Sequence, residues 1–358
     1  MIKLGFGLYR HQLTADNLAF ARQAGATHVV VHLVDYFNQA KERNPDNNQP
    51  TGGTDGWGVA GDRGSLWTID ELARIKKTIE EADLEWFAIE NFDPGHWHDI
   101  LLDGPKKERQ LEDIASMIRA VGDIGVPVIG YNFSLAGVAA RTTGPYARGG
   151  ATSVGLQGDV DQTPLPLGMV WNMVYDRNAP EGTLPSVPRE EFWKRLETFV
   201  KSVMPVAERA GVTLAMHPDD PPAEMVRSQP RLVNSKTAYD RLLAMSDSPS
   251  NKLEFCLGTL AEMADGDIYE TVERYSAGGH LAYVHFRNVR GRVPSYVETF
   301  VDDGDIDLAR VVRILHDTGF DGVMIPDHAP LMSCDAPWHA GMAFAMGFMS
   351  AALGQLSD

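Results

Sequence analysis

The stretch KLGFGLYRHQLTADNLAFARQAGATHVVVHL, residues 3–33, decides the fold class. Its two ends, 3–7 and 28–33, are short apolar runs typical of buried strands. Between them, residues 14–25 carry apolar side chains at helical spacing. A strand, a helix and a second strand in this order are the signature of a βαβ unit. This opening therefore predicts an α/β protein.

The same alternation continues to the end of the chain. Helices are predicted near 67–83, with Thr68 as N-cap, 108–123 and 188–210. The further predicted strands are 84–90, 126–133, 212–217, 252–256, 281–286 and 322–326. Eight strands alternating with eight helices predict a single (β/α)8 TIM barrel over residues 1–358. A doubly wound open sheet is the alternative, but LGFGLYR at 4–10 lacks the full G-x-G-x-x-G phosphate turn.

One segment interrupts this regular pattern. Residues 134–187 follow the fourth predicted strand and are rich in Gly, Pro, Thr and Ala. They are too numerous for an ordinary connection between a strand and a helix. We expect a long insertion loop here, lying over the catalytic face as a lid or serving as a dimer contact.

The composition limits the classes of partner. The 358 residues include 32 basic and 49 acidic side chains, for a formal net charge of −17. This charge opposes binding to nucleic acid and to anionic membranes, which favours a small-molecule partner. No apolar run reaches the ~20 residues of a membrane span, and the start lacks a signal-peptide pattern. We therefore expect a cytoplasmic protein whose two cysteines, Cys256 and Cys334, remain thiols.

Four potential metal ligands occupy the ends of the late strands. LAMHPDDPP, residues 214–222, ends a strand near His217, and Cys256 and His285 end the next two. Asp327 directly follows the eighth strand. Taken singly, each side chain has an ordinary structural explanation, as a hydrogen-bonded histidine, a buried cysteine or a turn aspartate. Because barrel strand ends converge on one mouth, the four together favour a divalent transition-metal site.

Two neighbours of these residues are candidates for catalysis. Arg287 lies two residues past His285. Its guanidinium could bind the carboxylate of a sugar acid through two parallel hydrogen bonds, or it could form a surface ion pair. His328 follows Asp327 and could transfer a proton near neutral pH, although a structural role is the alternative. The stretch ENFDPGHWHD, residues 90–99, is interpreted as a solvated turn rather than a substrate loop.

Motifs along most of the chain resemble the mannonate dehydratase family, which consists of metal-dependent, xylose-isomerase-like barrels. The shared motifs are RQAGAT (22–27), YNF (131–133), HPDDPP (217–222), FCLGT (255–259), HFRNV (285–289), GDIDL (304–308) and PDH (326–328). The resemblance implies that His217, Cys256, His285 and Asp327 bind a metal ion, commonly Mn²⁺. Thiolate ligation favours Zn²⁺ instead, and Fe²⁺ and Co²⁺ are further alternatives.

The resemblance also implies an activity and a set of substrate contacts. A hydro-lyase of this family removes water from a sugar acid such as D-mannonate and leaves a 2-keto-3-deoxy acid. On this basis His328 transfers a proton and Arg287 contacts the substrate. We further expect Asn132, Asp219 and His339 to bind the substrate. The expected assembly is a homo-oligomer, either a dimer or a tetramer.

The chain departs from the family pattern in the shell around the metal site. The family has a Gly-Tyr pair at the start of its last helix, whereas this chain has Gly341 and Met342, and a thioether cannot transfer a proton. His339 or Tyr146 is a candidate replacement. After YNF, residues 134–150 read SLAGVAARTTGPYARGG in place of a tryptophan-containing run. A related acid as substrate, an isomerase or epimerase acting through an enediolate, and a catalytically silent sugar-binding paralogue remain alternatives.

Overall fold

A computed structural model of the chain describes residues 1–39 and 57–356. Eight parallel strands form a closed barrel in which each strand pairs with its neighbours in the sequence order and β1 also pairs with β8. The strands are β1 Lys3–Tyr9, β2 His28–His32, β3 Glu85–Glu90, β4 Val128–Tyr131, β5 Thr213–Met216, β6 Asn251–Cys256, β7 Leu281–His285 and β8 Val323–Ile325. The predicted TIM barrel is therefore confirmed, and the open sheet is excluded.

Helices cover the outside of the barrel, and the hydroxyls of Thr14 and Thr68 cap the first two by accepting backbone N–H groups. In the ranges that the structure describes, two α-helices follow β3 and two follow β6, whereas one follows each of the other strands. The helices are α1 Ala15–Gln23, α2 Ile69–Glu80, α3 Pro94–Leu102, α4 Lys107–Asp123, α5 Arg189–Ala210, α6 Ala238–Leu243, α7 Leu257–Glu262, α8 Ile268–Ala277, α9 Leu308–Asp317 and α10 Pro337–Gly354. Within the described residues, no helix has both the length and the apolar character needed to cross a membrane.

Residues 134–187 contain strands, which corrects the expectation of an irregular loop. Two of them, Thr142–Ala147 and Ala151–Gln157, pair with each other. Ala151–Gln157 also pairs with Ser295–Thr299, which forms a hairpin with Asn288–Arg292. We call these four strands the outer sheet. A separate short hairpin lies at 169–174. Backbone pairing with the segment after β7 thus organises a stretch whose composition resembles that of a loop. Its function as a lid stays a prediction.

Strand register sets the position of the functional side chains. Cys256 lies opposite His285 across β6 and β7, and His285 lies opposite Ile325 of β8. On the other side of the barrel, Tyr9 lies opposite His32 across β1 and β2. Because all eight strands are parallel, these residues meet at the carboxyl end of the barrel, where TIM-barrel active sites lie.

Candidate metal centre and active site

Three of the four predicted ligands converge at the barrel mouth. One donor atom from each of His217, Cys256 and His285 lies within 4.8 Å of the other two. Asp327 lies beside them, with its Oδ1 atom 3.5 Å from Nδ1 of His285. Neighbouring strands β5 to β8 supply the four side chains, because their parallel register aligns the strand ends. The structure therefore brings together all four residues that the sequence singled out.

Contacts on the far side of each imidazole orient it towards this cluster. Nδ1 of His217 lies 2.6 Å from the carbonyl oxygen of Pro218, so an N–H donated there leaves Nε2 with its lone pair. Nε2 of His285 lies 3.1 Å from Oε1 of Glu254 and 3.3 Å from Oε2 of Glu90. A carboxylate behind a histidine is the arrangement that fixes metal-binding imidazoles in other proteins.

The environment of Cys256 favours its thiolate form. Its Sγ atom accepts hydrogen bonds from Oγ1 of Thr259 at 3.2 Å and from Nη2 of Arg287 at 3.4 Å. Burial raises the pKa of this thiol, but the Arg287 cation and hydrogen bonds from His217 and His285 outweigh burial and hold the pKa well below its ordinary value. A thiolate is the form of cysteine that binds metal ions.

The donor set fits a divalent cation. Two imidazoles, a thiolate and a carboxylate are ligands that first-row transition metals and zinc accept. Both ring nitrogens of His285 are buried, and among the described residues neither makes a hydrogen bond of good geometry, although carboxylate oxygens of Glu254 and Asp327 lie 3.1 and 3.5 Å from them. Buried polar atoms are rarely left unsatisfied, and a bound ion is one of the groups that satisfies them.

The cluster opens into a cavity with an empty volume of about 510 Å³ including its mouth. The polar residues that line it are Glu90, Asn91, Asn132, Arg141, His217, Asp220, His285, Asp327 and His328. The other lining residues are mostly aromatic and are Tyr9, His32, Tyr36, Trp57, Val138 and Trp171. Such a mixture of aromatic and polar groups in a concave site is typical of small-molecule binding, and the polar groups can bind a highly hydroxylated acid.

His328 lies where the sequence suggested a proton-transfer residue. It lines the cavity, with Nδ1 at 3.4 Å from Oε2 of Glu298 and Nε2 at 3.3 Å from Oδ1 of Asp327. Glu298 comes from the outer sheet, so this sheet helps to fix the imidazole. The arrangement holds the His328 ring beside the candidate metal ligands.

Arg287 lies behind the cavity wall and not in the cavity, which corrects the expectation of a substrate contact. Its side chain is 1% exposed, and its guanidinium contacts four carboxylates, those of Asp220, Glu262, Glu298 and Asp327. The hydrogen bonds expected for a substrate carboxylate are therefore made within the protein. Arg287 neutralises buried acids beneath the site.

Arg141, which the sequence analysis did not single out, faces the cavity instead. Its Nη1 atom lies 3.2 Å from Oδ2 of Asp220 and 3.1 Å from Oε1 of Glu298. Neither Nε nor Nη2 forms a hydrogen bond with any residue that the structure describes. This free edge of the guanidinium can bind a carboxylate through two parallel hydrogen bonds.

The other predicted substrate residues have different positions. Asn132 lines the cavity, and its Oδ1 atom accepts a hydrogen bond of 3.0 Å from the indole of Trp171. Asp219 lies outside the cavity lining and is buried in an ion pair of 3.2 Å with Arg231. His339 also lies outside the lining, and its Nε2 atom is 3.1 Å from Oδ1 of Asn17. Of these three, only Asn132 is in a position to contact a bound substrate.

Neither proposed replacement for the missing tyrosine reaches the cavity. Tyr146 is half-buried in the outer sheet and its hydroxyl lies 3.0 Å from Oγ1 of Thr142, while His339 packs on Phe20. Met342 is completely buried in the core. The phenols in the cavity come from β1 and from the segment after β2, as Tyr9 and Tyr36.

Two further acidic residues line the cavity, although the sequence did not single them out as site residues. Glu90 ends β3 and faces the cavity, although residues 90–99 were interpreted as a solvated turn. Residues 94–99 instead form the start of α3, in which His96 and His98 are buried. Asp220 of HPDDPP faces the cavity in place of Asp219. The position of an acid at a strand end was the signal available for Glu90.

A closed barrel of eight parallel strands with candidate metal ligands at its mouth is the architecture of xylose-isomerase-like TIM barrels. A xylose isomerase domain protein from Planctomyces limnophilus superimposes with a TM-score of 0.58 over 99% of both chains, at 11% identity, which shows the fold alone. Residues 4–161 and 181–352 match the family model of D-mannonate dehydratase (UxuA). The chain belongs to the mannonate dehydratase family, whose members are metal-dependent hydro-lyases.

Individual relatives agree with this assignment. The mannonate dehydratase of Streptococcus pneumoniae (strain 70585) is 32% identical over 277 residues, covering 74% of this chain and 75% of the relative. The crystal structure of mannonate dehydratase from Streptococcus suis serotype 2 superimposes with a TM-score of 0.77 at 25% identity, over 99% of this chain and 93% of that one. The family indicated by the sequence motifs is confirmed.

Proposed function

We propose that this protein removes water from D-mannonate or a closely related sugar acid and forms a 2-keto-3-deoxy acid. The observation that carries the proposal is the convergence of His217, Cys256 and His285, with Asp327 beside them, on a cavity that also contains a free arginine edge and a histidine. This arrangement supplies a cation site, an anchor for a carboxylate and a group for proton transfer. Membership of a hydro-lyase family supports the same reaction.

The substrate carboxylate binds at the boundary between the cation site and Arg141. The Nε and Nη2 edge of Arg141 forms two hydrogen bonds to this carboxylate, while Asp220 and Glu298 hold Nη1. Asn132 contacts a hydroxyl further along the carbon chain. A divalent cation held by the four ligands would polarise the carboxylate and the 2-hydroxyl and make the C2 proton more acidic.

His328 acts as the base that removes the C2 proton. Its contacts with Glu298 and Asp327 hold the ring at the cavity wall. The electron pair left at C2 forms the C2–C3 double bond as the 3-hydroxyl departs with a proton as water. The resulting enol becomes a 2-keto-3-deoxy acid, which for mannonate is 2-keto-3-deoxygluconate.

The test of this function is turnover with a panel of aldonates. Purified protein supplied with Mn²⁺ is incubated with each acid, and the 2-keto-3-deoxy product is measured. Incubation in D₂O distinguishes an isomerase or epimerase, because deuterium would then appear at C2 of an isomeric acid that keeps its 3-hydroxyl group. A protein that binds metal and forms no such product from any acid contradicts the proposal.

We further propose Mn²⁺ as the native ion. The resemblance of the motifs to the family supports Mn²⁺, whereas a thiolate ligand favours Zn²⁺. Elemental analysis of protein purified without added metal distinguishes the two. A thiol that serves as a ligand must stay reduced, and Cys256 and Cys334 are both free, which supports a cytoplasmic location. The expected homo-oligomer stays a prediction.

Replacing Cys256 by serine is expected to weaken binding of the cation by about 100-fold or more, since the loss of even an outer partner of a ligand costs 10- to 100-fold. The hydroxyl of serine stays protonated at neutral pH and is a poor ligand. Calorimetric titration of metal-free protein with Mn²⁺ measures the effect. Cys334→Ser is the matched control, because this cysteine is exposed. Equal affinities for the two variants would remove Cys256 from the site.

Glu254 is expected to support the cation site without binding the ion. Glu254→Met removes the carboxylate that faces Nε2 of His285 at 3.1 Å, so the imidazole loses its fixed orientation. We expect affinity for Mn²⁺ to fall by about 10- to 100-fold, as is typical for the loss of such a partner. Glu254→Gln is the control, since its amide oxygen still accepts a hydrogen bond. If both variants bind Mn²⁺ as the wild type does, Glu254 has no orienting effect.

A further inference from the structure

The proposed dehydration needs a second proton-transfer group besides His328. Hydroxide is a poor leaving group, so the 3-hydroxyl must receive a proton as the C3–O bond breaks. His328 takes the C2 proton and keeps it until the enol becomes the ketone, so another group must protonate the 3-hydroxyl. The identification of the group that protonates the 3-hydroxyl rests on the proposed function.

Most groups on the cavity wall are engaged with other side chains. The hydroxyl of Tyr36 accepts a hydrogen bond of 3.0 Å from Nδ2 of Asn91. Asp220 accepts hydrogen bonds from Arg141, Arg287 and Tyr296. The Tyr9 hydroxyl differs, because it forms no hydrogen bond with any side chain in the described ranges 1–39 and 57–356.

Tyr9 is held rigidly next to the catalytic groups. It is the last residue of β1, which pairs with β8, and Asp327 and His328 follow β8. Its ring stacks on His32 with centroids 4.3 Å apart and planes inclined by 5°, and the edge of Tyr36 packs against it at 5.9 Å. Tyr9 and His328 thus enter the mouth from adjacent strands and face one cavity.

Burial keeps this phenol protonated. The ordinary pKa of tyrosine is about 10, and burial raises the pKa of Tyr9 further. The side chain is therefore a proton donor at neutral pH and not a base. This state complements His328 in a reaction that needs one base and one acid.

We propose that Tyr9 is the general acid that protonates the departing 3-hydroxyl group. The Tyr9 proton passes to the 3-hydroxyl oxygen, the C3–O bond breaks, and water leaves. His328 takes the C2 proton, and the electron pair of that C–H bond forms the C2–C3 double bond. When the enol becomes the ketone, the His328 proton moves to C3 and the enol hydroxyl proton returns to the Tyr9 phenolate. Substrate is thereby converted to the 2-keto-3-deoxy acid and water, with both side chains restored.

Tyr9→Phe tests this role, because phenylalanine keeps the ring stack and removes only the hydroxyl. We expect kcat for product formation to fall by about 100-fold or more, with KM and Mn²⁺ content unchanged. In D₂O the variant should still exchange the C2 proton of the substrate for deuterium, because His328 is intact. Tyr146→Phe is the control, since Tyr146 lies outside the cavity lining.

A substrate with a better leaving group separates an acid from a structural residue. Fluoride leaves C3 without prior protonation, so a 3-deoxy-3-fluoro aldonate should be processed by Tyr9→Phe and wild type at rates within about threefold. A variant that loses C2 exchange together with product, or that stays slow with the fluoro acid, overturns the role. Normal kcat with the ordinary acid also overturns it.

Product formation by the wild type distinguishes a failure of the Tyr9 role from a failure of the proposed function. Product formed by the wild type and equally by Tyr9→Phe contradicts the role of Tyr9 and leaves the proposed function intact. A wild-type protein that forms no product from any aldonate contradicts the proposed function, and the role of Tyr9 is then rejected with it.

Discussion

Replacing His328 by asparagine is expected to lower kcat for the 2-keto-3-deoxy product by about 10²- to 10⁴-fold, the usual contribution of a general base. Asparagine keeps a polar group of similar size at the cavity wall but cannot accept the C2 proton. Because removal of the C2 proton precedes cleavage of the C3–O bond, exchange of that proton for deuterium should disappear as well. Steady-state kinetics and NMR of the substrate in D₂O measure the two effects.

The control for this prediction is His316→Asn. His316 lies on the exposed surface of α9, with its Nδ1 atom 3.1 Å from Oδ1 of Asp317, and we expect this variant to match the wild type. Both variants should retain Mn²⁺, since neither residue is a proposed ligand. If His328→Asn keeps kcat within about threefold of the wild type, another group removes the C2 proton.

Replacing Arg287 by methionine is expected to lower the free energy of unfolding by about 3–5 kcal/mol, the typical cost of removing one partner from a buried ion pair. Arg287 is 1% exposed and contacts four carboxylates. Without the cation these acids remain buried with less compensation. Urea unfolding of metal-free protein, followed by circular dichroism, measures the change.

Arg290→Met is the matched control, because it removes an arginine three positions along the chain. Arg290 pairs with Asp303 at 3.1 Å, but its side chain is 54% exposed, and surface ion pairs of this kind contribute about 0–1 kcal/mol. Equal destabilisation by the two substitutions would show that Arg287 does not stabilise the buried acids. Such a result would also reopen its assignment as a substrate contact.

The sequence was most informative about the barrel itself. Apolar strands such as 28–33 and 281–286 alternate with helices of period 3.6, and this pattern depends only on which face of each element is buried. The cap at Thr68 was likewise predictable, since it involves residues three positions apart. Residues 134–187 were harder, because the strands of the outer sheet become recognisable only when they pair with residues 288–299.

The same distinction applies to the site. His217, Cys256 and His285 could be selected from the sequence because each lies at or next to the carboxyl end of a predicted strand, and parallel strands converge there. Arg287 shares that position, yet its guanidinium turns away from the cavity towards buried acids. The position of a residue on its strand predicts at which end of the barrel it lies, but not which residues its side chain contacts.

The sequence by itself determined the barrel, the family and the strand ends that supply the candidate ligands, because periodicity and motifs are local properties. Only the tertiary structure decided that Arg141, rather than Arg287, offers a guanidinium edge to the cavity. Arg141 is held there by Glu298, a residue 157 positions away in the chain. Electrostatic contacts depend on distances in space, and these are established only when the outer sheet assembles against the mouth of the barrel.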